Sequence, residues 1–270
     1  MAAIEHTSLL HDAKGAGDFA CTVCREEVAL TPFERRTDDH GQVYDLWMCL
    51  RCHAILNATH LRKVRAGDDF LSLQADSSND FYAVDSAYLS TVADQIDACG
   101  FFDYLFKVYP GQRRGVLIDF GAGRGIVAGC GAKYFEKVYA AELSLNVLRQ
   151  VQAVMPNRDR VIVTDDYKSI PATFDCIASM HVLEHLPNLR DILDALVARL
   201  NPEGTLFFQV PMLLRAHLVS VHYTFFNEVS ARSLCRQLGL DVISISYDND
   251  LDFLNCISRK PSLNDQARPK

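Results

Sequence analysis

No apolar run in the sequence approaches the ~20 residues that a helix needs to cross a bilayer. The opening stretch, MAAIEHTSLLHDAKGAGDFA, lacks the basic segment followed by a continuous apolar core that marks an export signal. Membrane insertion and secretion are therefore not expected, and a cytoplasmic protein is. Positive charge is also scarce, since 27 Lys and Arg against 34 Asp and Glu leave a net charge of -7. A chain of this balance is not built to neutralise phosphate backbones, so nucleic acid is not an expected partner. Internal repeats and low-complexity tracts are absent. The cysteine count, nine, is odd, which with no export signal argues against a disulfide framework.

What is present is enough apolar material, 49% of 270 residues, for one substantial core and a small accessory module. The cysteines fall into two groups. Cys21-x-x-Cys24 and Cys49-x-x-Cys52 have the spacing of two knuckles that present four thiolates to one tetrahedral Zn2+. Such a site has no open position, so the zinc is expected to be structural. Cys99, Cys130, Cys176, Cys235 and Cys256 are scattered singly and are expected to be small buried hydrophobes. Apolar alternation in YDLWMC leads into the second knuckle as a strand. The reading along the chain is a flexible leader over 1–19, a zinc ribbon over 20–60, a linker and pre-sheet helices over 61–110 that end at Pro110, a catalytic domain over 111–260, and a disordered tail over 261–270.

After Pro110 strands alternate with helices, the pattern of a parallel sheet covered on both faces. GVLIDF, KVYAAEL, RVIVTD, FDCIASM and TLFFQV are the strand candidates, followed by a helix closed by Gly239 and a hairpin made of DVISISYDND and DFLNCISRK. Directly after the first of these strands stands Asp119-Phe-Gly121-Ala-Gly123-Arg-Gly125. Glycines suit a sharp turn with unusual backbone angles and a ligand approaching too closely for a Cβ. The aspartate that ends the strand is poorly suited to a pyrophosphate and well suited to a cationic ligand. Glu142 follows the second strand, where an acidic side chain accepts ribose hydroxyls. Asp165 and Asp166 follow the third. An adenosine with a cationic amino-acid tail, S-adenosylmethionine, fits these features better than NAD.

Over about Phe81 to Lys260 the sequence resembles class I S-adenosylmethionine-dependent methyltransferases. The resemblance rests on DFGAGRG, Glu142, the TDD segment and FDCIASMHVLEHLPNLRDILDALVARLNPEGTLFFQVP, where Glu203-Gly204 replaces the usual paired glycines. It implies an α/β, Rossmann-like sheet of seven strands in the order 3-2-1-4-5-7-6, with strand 7 antiparallel. It also implies that Asp119, Gly121, Gly123 and Gly125 cradle the methionine portion, that Glu142 binds the ribose, that Asp165 or Asp166 binds the adenine edge, and that Tyr82 lies over the cofactor. His181-Val-Leu-Glu184-His185 spells the H-x-x-E-H of inverted zinc proteases, but that chemistry needs a helix carrying both histidines on one face, and here a strand ends and Pro187 follows. By resemblance the segment instead lines the cleft at the strand ends. His185, His222 and His181 are the candidate bases for a hydroxyl acceptor. The expected activity is methyl transfer to a small-molecule acceptor, sugars and nucleotide sugars included. A cofactor-binding adapter that uses its ribbon to recruit a partner, or a protein methyltransferase, is the alternative.

Overall fold

The computed structural model describes residues 19–25, 29–38, 40–65, 84–248 and 252–262. The leader, except Phe19 and its boundary, Tyr82, and most of the tail lie outside these residues. The first module is a small antiparallel sheet. Strand β1 (Leu30–Thr37) pairs with β2 (Val43–Cys49), and β2 pairs with β3 (Ile55–Asn57). The carboxylate of Asp38 closes the first turn, accepting the backbone N–H of His40 and Gln42 and the hydroxyl of Tyr44, each at 2.9 Å. Helix α1 (Ala58–Arg65) follows β3 without a break. Residues 61–65, read from the sequence as the start of a linker, belong to this helix, and 66–83 lie outside the described residues. Leu61 and Val64, three apart, form an apolar stripe that packs into the ribbon core, Lys63 is exposed, and Arg62 lays its guanidinium 5.5 Å over the Phe19 and Trp47 rings of that core.

Two helices, α2 (Ser86–Ala98) and α3 (Phe101–Val108), precede the main sheet. Asp85 caps α2 by accepting Tyr88 N–H at 2.8 Å. The sheet and its crossovers follow as β4 (Val116–Phe120), α4 (Ile126–Gly131), β5 (Lys137–Ala141), α5 (Leu145–Gln152), β6 (Val161–Thr164), β7 (Phe174–Met180), α6 (Leu189–Ala198) and β8 (Leu200–Pro211). After β9 (Thr224–Phe225) come α7 (Glu228–Gln237), β10 (Asp241–Asp248) and β11 (Phe253–Arg259). The seven-stranded sheet has the order β10-β11-β8-β7-β4-β5-β6, with β11 antiparallel to β8. Numbered within this sheet alone, that is 3-2-1-4-5-7-6 with an antiparallel seventh strand, as the resemblance implies. Among the described residues no helix is long and apolar enough to cross a membrane.

Strand β8 begins earlier than TLFFQV, at Leu200, and its pairing with β7 skips between Phe174 and Cys176. Glu203 there has a φ of 65°, and a Cβ on Gly204 would lie 2.9 Å from Asn201 O and 3.0 Å from Asp175 O. Glu203 thus occupies the left-handed conformation that a first glycine adopts at no steric cost, while the second position admits glycine alone.

The ribbon is built into the large domain. Strand β9, which follows β8 in the chain, pairs with β3 and completes a four-stranded sheet β1-β2-β3-β9. One apolar cluster runs from Trp47, Leu56 and the four knuckle cysteines to Leu183, Phe208 and Leu254. Arg25 reaches Asp191 and Asp194 of α6, and Arg190 donates to Val23 O at 3.1 Å.

Unfolding should therefore be one event. Trp47, the single tryptophan, reports the ribbon, and far-ultraviolet circular dichroism reports mainly the large domain. The two urea curves are expected to coincide, and Phe225→Ala, removing a fully buried ring from the shared strand, is expected to shift both together by about 3 kcal/mol.

Candidate active site

The end of β4 turns back over the sheet through residues 121–125. Gly121 and Ala122 donate their N–H groups to Ala141 O at 2.9 and 3.0 Å, tying the turn to the end of β5. Gly121, Gly123 and Gly125 have φ of 75°, 51° and 80°, values that side chains rarely adopt. The reason for glycine is partly internal. A Cβ on Gly121 would meet Val182 Cγ2 at 2.3 Å, and one on Gly125 would meet Met155 Cε at 2.4 Å. Protein side chains, more than an approaching ligand, fill these two places.

Glu142, after β5, turns its carboxylate onto this loop. Its Oε2 accepts Gly123 N–H at 2.7 Å, and Oε1 accepts Leu143 N–H at 2.7 Å. Asp119 is 2% exposed, and its Oδ2 has no hydrogen-bond partner among the described residues. Burial, with the charge of Glu142 adding to it, pushes the Asp119 carboxyl up to about 8. A cation bound beside it would relieve that penalty. Asp165 and Asp166 lie exposed after β6, and Asp166 Oδ1 is already engaged by Lys168 N–H at 2.9 Å. Tyr82 lies outside the described residues.

The H-V-L-E-H segment leaves β7 through His181, whose φ is 58° and whose N–H bonds Gln209 O at 2.9 Å. Residues Leu183–His185 form a single 3-10 turn, a geometry that cannot present two histidines as a protease helix does. Glu184 is 1% exposed, and among the described residues neither of its carboxyl oxygens has a hydrogen-bond partner. Its Oε1 lies 3.8 Å from both His181 Nδ1 and His185 Nε2. His222, arriving from the segment before β9, places its ring 4.6 Å from that of His185. The Nδ1 of His185 bonds Val221 O at 3.0 Å, and the Nδ1 of His222 bonds His217 O at 2.8 Å. A carbonyl only accepts, so each Nδ1 carries the hydrogen and each Nε2 keeps its lone pair.

Burial holds all three histidines toward the neutral form, His185 down to about 4 and His222 to about 3, with His181 lowered as well; burial raises Glu184 to about 8. Glu184, His185 and His222 offer ligand atoms within 4.8 Å of one another, a set able to hold a divalent cation. Glu184 was missed as a site residue in the sequence, although the same H-V-L-E-H string displayed it. His181, though as near to Glu184 as His185 is, does not belong to that set of three, and its ring packs 4.4 Å from Phe253. Between α2, α3 and the strands β8, β10 and β11 lies a cavity of about 560 Å³, reaching from Arg124 in the glycine turn to Gln209.

The four knuckle cysteines meet on the ribbon. Cys21 and Cys52 sulfurs are 3.6 Å apart, those of Cys24 and Cys49 are 3.9 Å apart, and all four lie within 4.8 Å. Four thiolates at zinc–sulfur distances of about 2.3 Å on a tetrahedron would stand ~3.8 Å from one another. The donor set and its spacing fit a structural zinc.

A carboxyl whose pKa rises on folding keeps a proton that the unfolded chain has released, so its contribution to stability falls as pH climbs from about 4 toward 8. Asp119→Asn removes that slope. Without ligand, the variant is expected to match the wild type near pH 4 and to exceed it by roughly 1–3 kcal/mol at pH 8 in thermal unfolding. Its affinity for S-adenosylmethionine in calorimetry is expected to drop about tenfold or more.

A family profile described as "Methyltransferase domain" matches residues 95–245, more than half of the chain. A ubiquinone biosynthesis O-methyltransferase from Neisseria meningitidis is 27% identical over 152 residues, covering 47% of this chain and 63% of the relative. The match thus spans less than two thirds of that relative's length. Among solved structures, an O-methyltransferase family protein from Burkholderia thailandensis is similar with a TM-score of 0.51 at 12% identity, covering 77% of this chain and 74% of that one. An S-adenosylmethionine dependent methyltransferase from Mesorhizobium loti has a TM-score of 0.50 at 14% identity, covering 61% and 100%. The two structures share the fold. With the sheet order, the glycine turn and the acidic strand ends in place, the profile match establishes that the chain belongs to the methyltransferase domain family.

Proposed function

We propose that the protein transfers the methyl group of S-adenosylmethionine to a hydroxyl oxygen of a small molecule. The contact of Val182 with Gly121 carries this reading, because it sets the histidine segment directly against the glycine turn. Cofactor and acceptor groups then share one cleft. Asp119 and the turn around Gly121, Gly123 and Gly125 hold the cationic methionine portion, Glu142 holds the ribose hydroxyls, and Asp165 or Asp166 meets the adenine edge. Held there, S-adenosylmethionine would supply an activated methyl group, its carbon–sulfur bond breaking toward sulfur as the acceptor oxygen takes the carbon, and the cleft residues would align the two. The hydroxyl proton passes to the Nε2 of His185 or His222, with His181 as the outer candidate.

The cavity of about 560 Å³ is of small-molecule size and adjoins the glycine turn at Arg124, while Asp119, Glu142, Glu184 and the three histidines lie outside its lining. Its aromatic side chains Phe101, Tyr104 and Phe207 beside the polar Gln95, Ser246 and Asn255 suit a polyhydroxylated ligand such as a sugar or nucleotide sugar. The name of the Neisseria relative specifies oxygen as its acceptor atom, which agrees. In the ribbon, Cys21, Cys24, Cys49 and Cys52 hold one structural zinc, whose binding contributes to folding. The setting is cytoplasmic.

Labelled methyl transfer into a panel of sugars, phenols and proteins tests the acceptor class; cofactor binding with no labelled product would favour an adapter. His185→Ala and His222→Ala are each expected to lower turnover about a hundredfold with cofactor affinity intact. Near-normal turnover in both would remove the histidine base. Elemental analysis is expected to find one zinc per chain, lost in Cys49→Ser together with a lowered melting temperature.

A further inference from the structure

Asn57, the last residue of β3, is a polar side chain with no solvent exposure, and its groups are spent on the segment that carries His222. Its N–H donates to Tyr223 O at 2.9 Å, and its Nδ2 donates to His222 O at 3.1 Å. Its Oδ1 is held by His60 Nδ1 at 3.2 Å, and His60 Nε2 in turn meets Gln42 Nε2 at 3.1 Å, so the amide is oriented from within the ribbon. On its other side the same segment grips the histidine motif. Tyr223 N–H donates to Glu184 O at 2.7 Å, and Val221 O accepts from His185 Nδ1 at 3.0 Å. Residues 221–225 are thus a strap fastened to the ribbon on one edge and to Glu184 and His185 on the other, with the Thr22 and Thr224 hydroxyls joined at 2.7 Å as a further tie.

We propose that Asn57 is a positioning residue, through which the cysteine ribbon holds the strap so that the His222 and His185 rings face Glu184. The ribbon is then a component of the cleft and not a recruiting module. This rests on the reading of the cleft given above only insofar as turnover is concerned; the geometry of the rings can be read without any acceptor. If the Nδ2 donor is lost, the His222 carbonyl is released. The strap can then drift, Val221 O leaves His185 Nδ1, and the two imidazoles lose their fixed hydrogen positions.

Asn57→Asp tests this, since it keeps the shape and the acceptor to His60 and removes the donor to His222 O. Nitrogen-15 long-range correlation spectra of the full chain are expected to show His185 and His222 with hydrogen on Nδ1 in the wild type, and as tautomer mixtures in the variant. With an acceptor in hand, kcat is expected to fall about tenfold or more while cofactor affinity holds. Arg25→Ala, which cuts the ion pairs of the ribbon to Asp191 and Asp194 away from the strap, serves as the control for a merely loosened interface and is expected to leave both spectrum and kcat unchanged. Wild-type tautomers in Asn57→Asp, or an equal disturbance in Arg25→Ala, would overturn the proposal. If Asn57→Asp fails to fold, Asn57→Ser, smaller and without the amide donor, is read by the same spectra. Should the wild type methylate nothing, the methyltransferase reading fails while the tautomer result still decides the role of Asn57.

Discussion

Parallel pairing of β4 with β5 on one side and β7 on the other is the constraint from which the site follows. Strands that run in the same direction must each return by a crossover, so all of their carboxyl ends gather along one edge. Asp119 and the glycine turn leave β4 at that edge, Glu142 leaves β5, and the histidine motif leaves β7. Each comes from a different stretch of chain, and they meet because neighbouring strands lie about 4.8 Å apart. The close fit of Val182 against Gly121 then joins two of these ends, so a side chain at Gly121 would push the histidine motif off the turn.

Two carboxyls at this edge are buried without full hydrogen bonding, Asp119 and Glu184. Burying a carboxylate is costly unless it is paired, and among the described residues Oδ2 of Asp119 and both oxygens of Glu184 have no hydrogen-bond donor. Such groups mark where a bound species supplies the missing donor or charge. Their placement differs. Asp119 lies beneath the turn that follows β4, near the charge of Glu142, whereas Glu184 faces two imidazoles whose Nδ1 hydrogens are fixed on backbone carbonyls. The first suits a cation; the second is arranged to handle a proton or a cation with nitrogen and oxygen donors.

The ribbon and the large domain share strand pairing, an apolar cluster and ion pairs, so the knuckle cysteines and the cleft are parts of one packed body. A small module of this size has little core of its own, and a metal site or a shared core supplies what it lacks. Here both devices are in place: Trp47 and Leu56 pack into the same cluster as Leu183, and Asn57 ends the ribbon strand that faces the strap.

Strand and helix periods in the sequence determined the sheet elements, because an apolar run such as VLIDF or FDCIASM buried on both faces has few other uses, and the D-x-G-x-G-x-G turn and the C-x-x-C pairs are local patterns with local causes. Those elements reappear with end shifts of a few residues, and β8 starts earlier because Leu200 already pairs with Phe174, the turn through the left-handed Glu203 and Gly204 interrupting the ladder until Thr205 pairs with Cys176. The helix α1 was hidden by its basic residues, because the ribbon core that buries Leu61 and Val64 is one that spacing alone cannot place. Only the tertiary structure brought His222 to His185, left the Glu184 carboxyl without a hydrogen-bond partner among the described residues, and fastened the strap to Asn57. These are contacts between residues far apart in the chain, set by which edges and faces pack together, and no local periodicity encodes them.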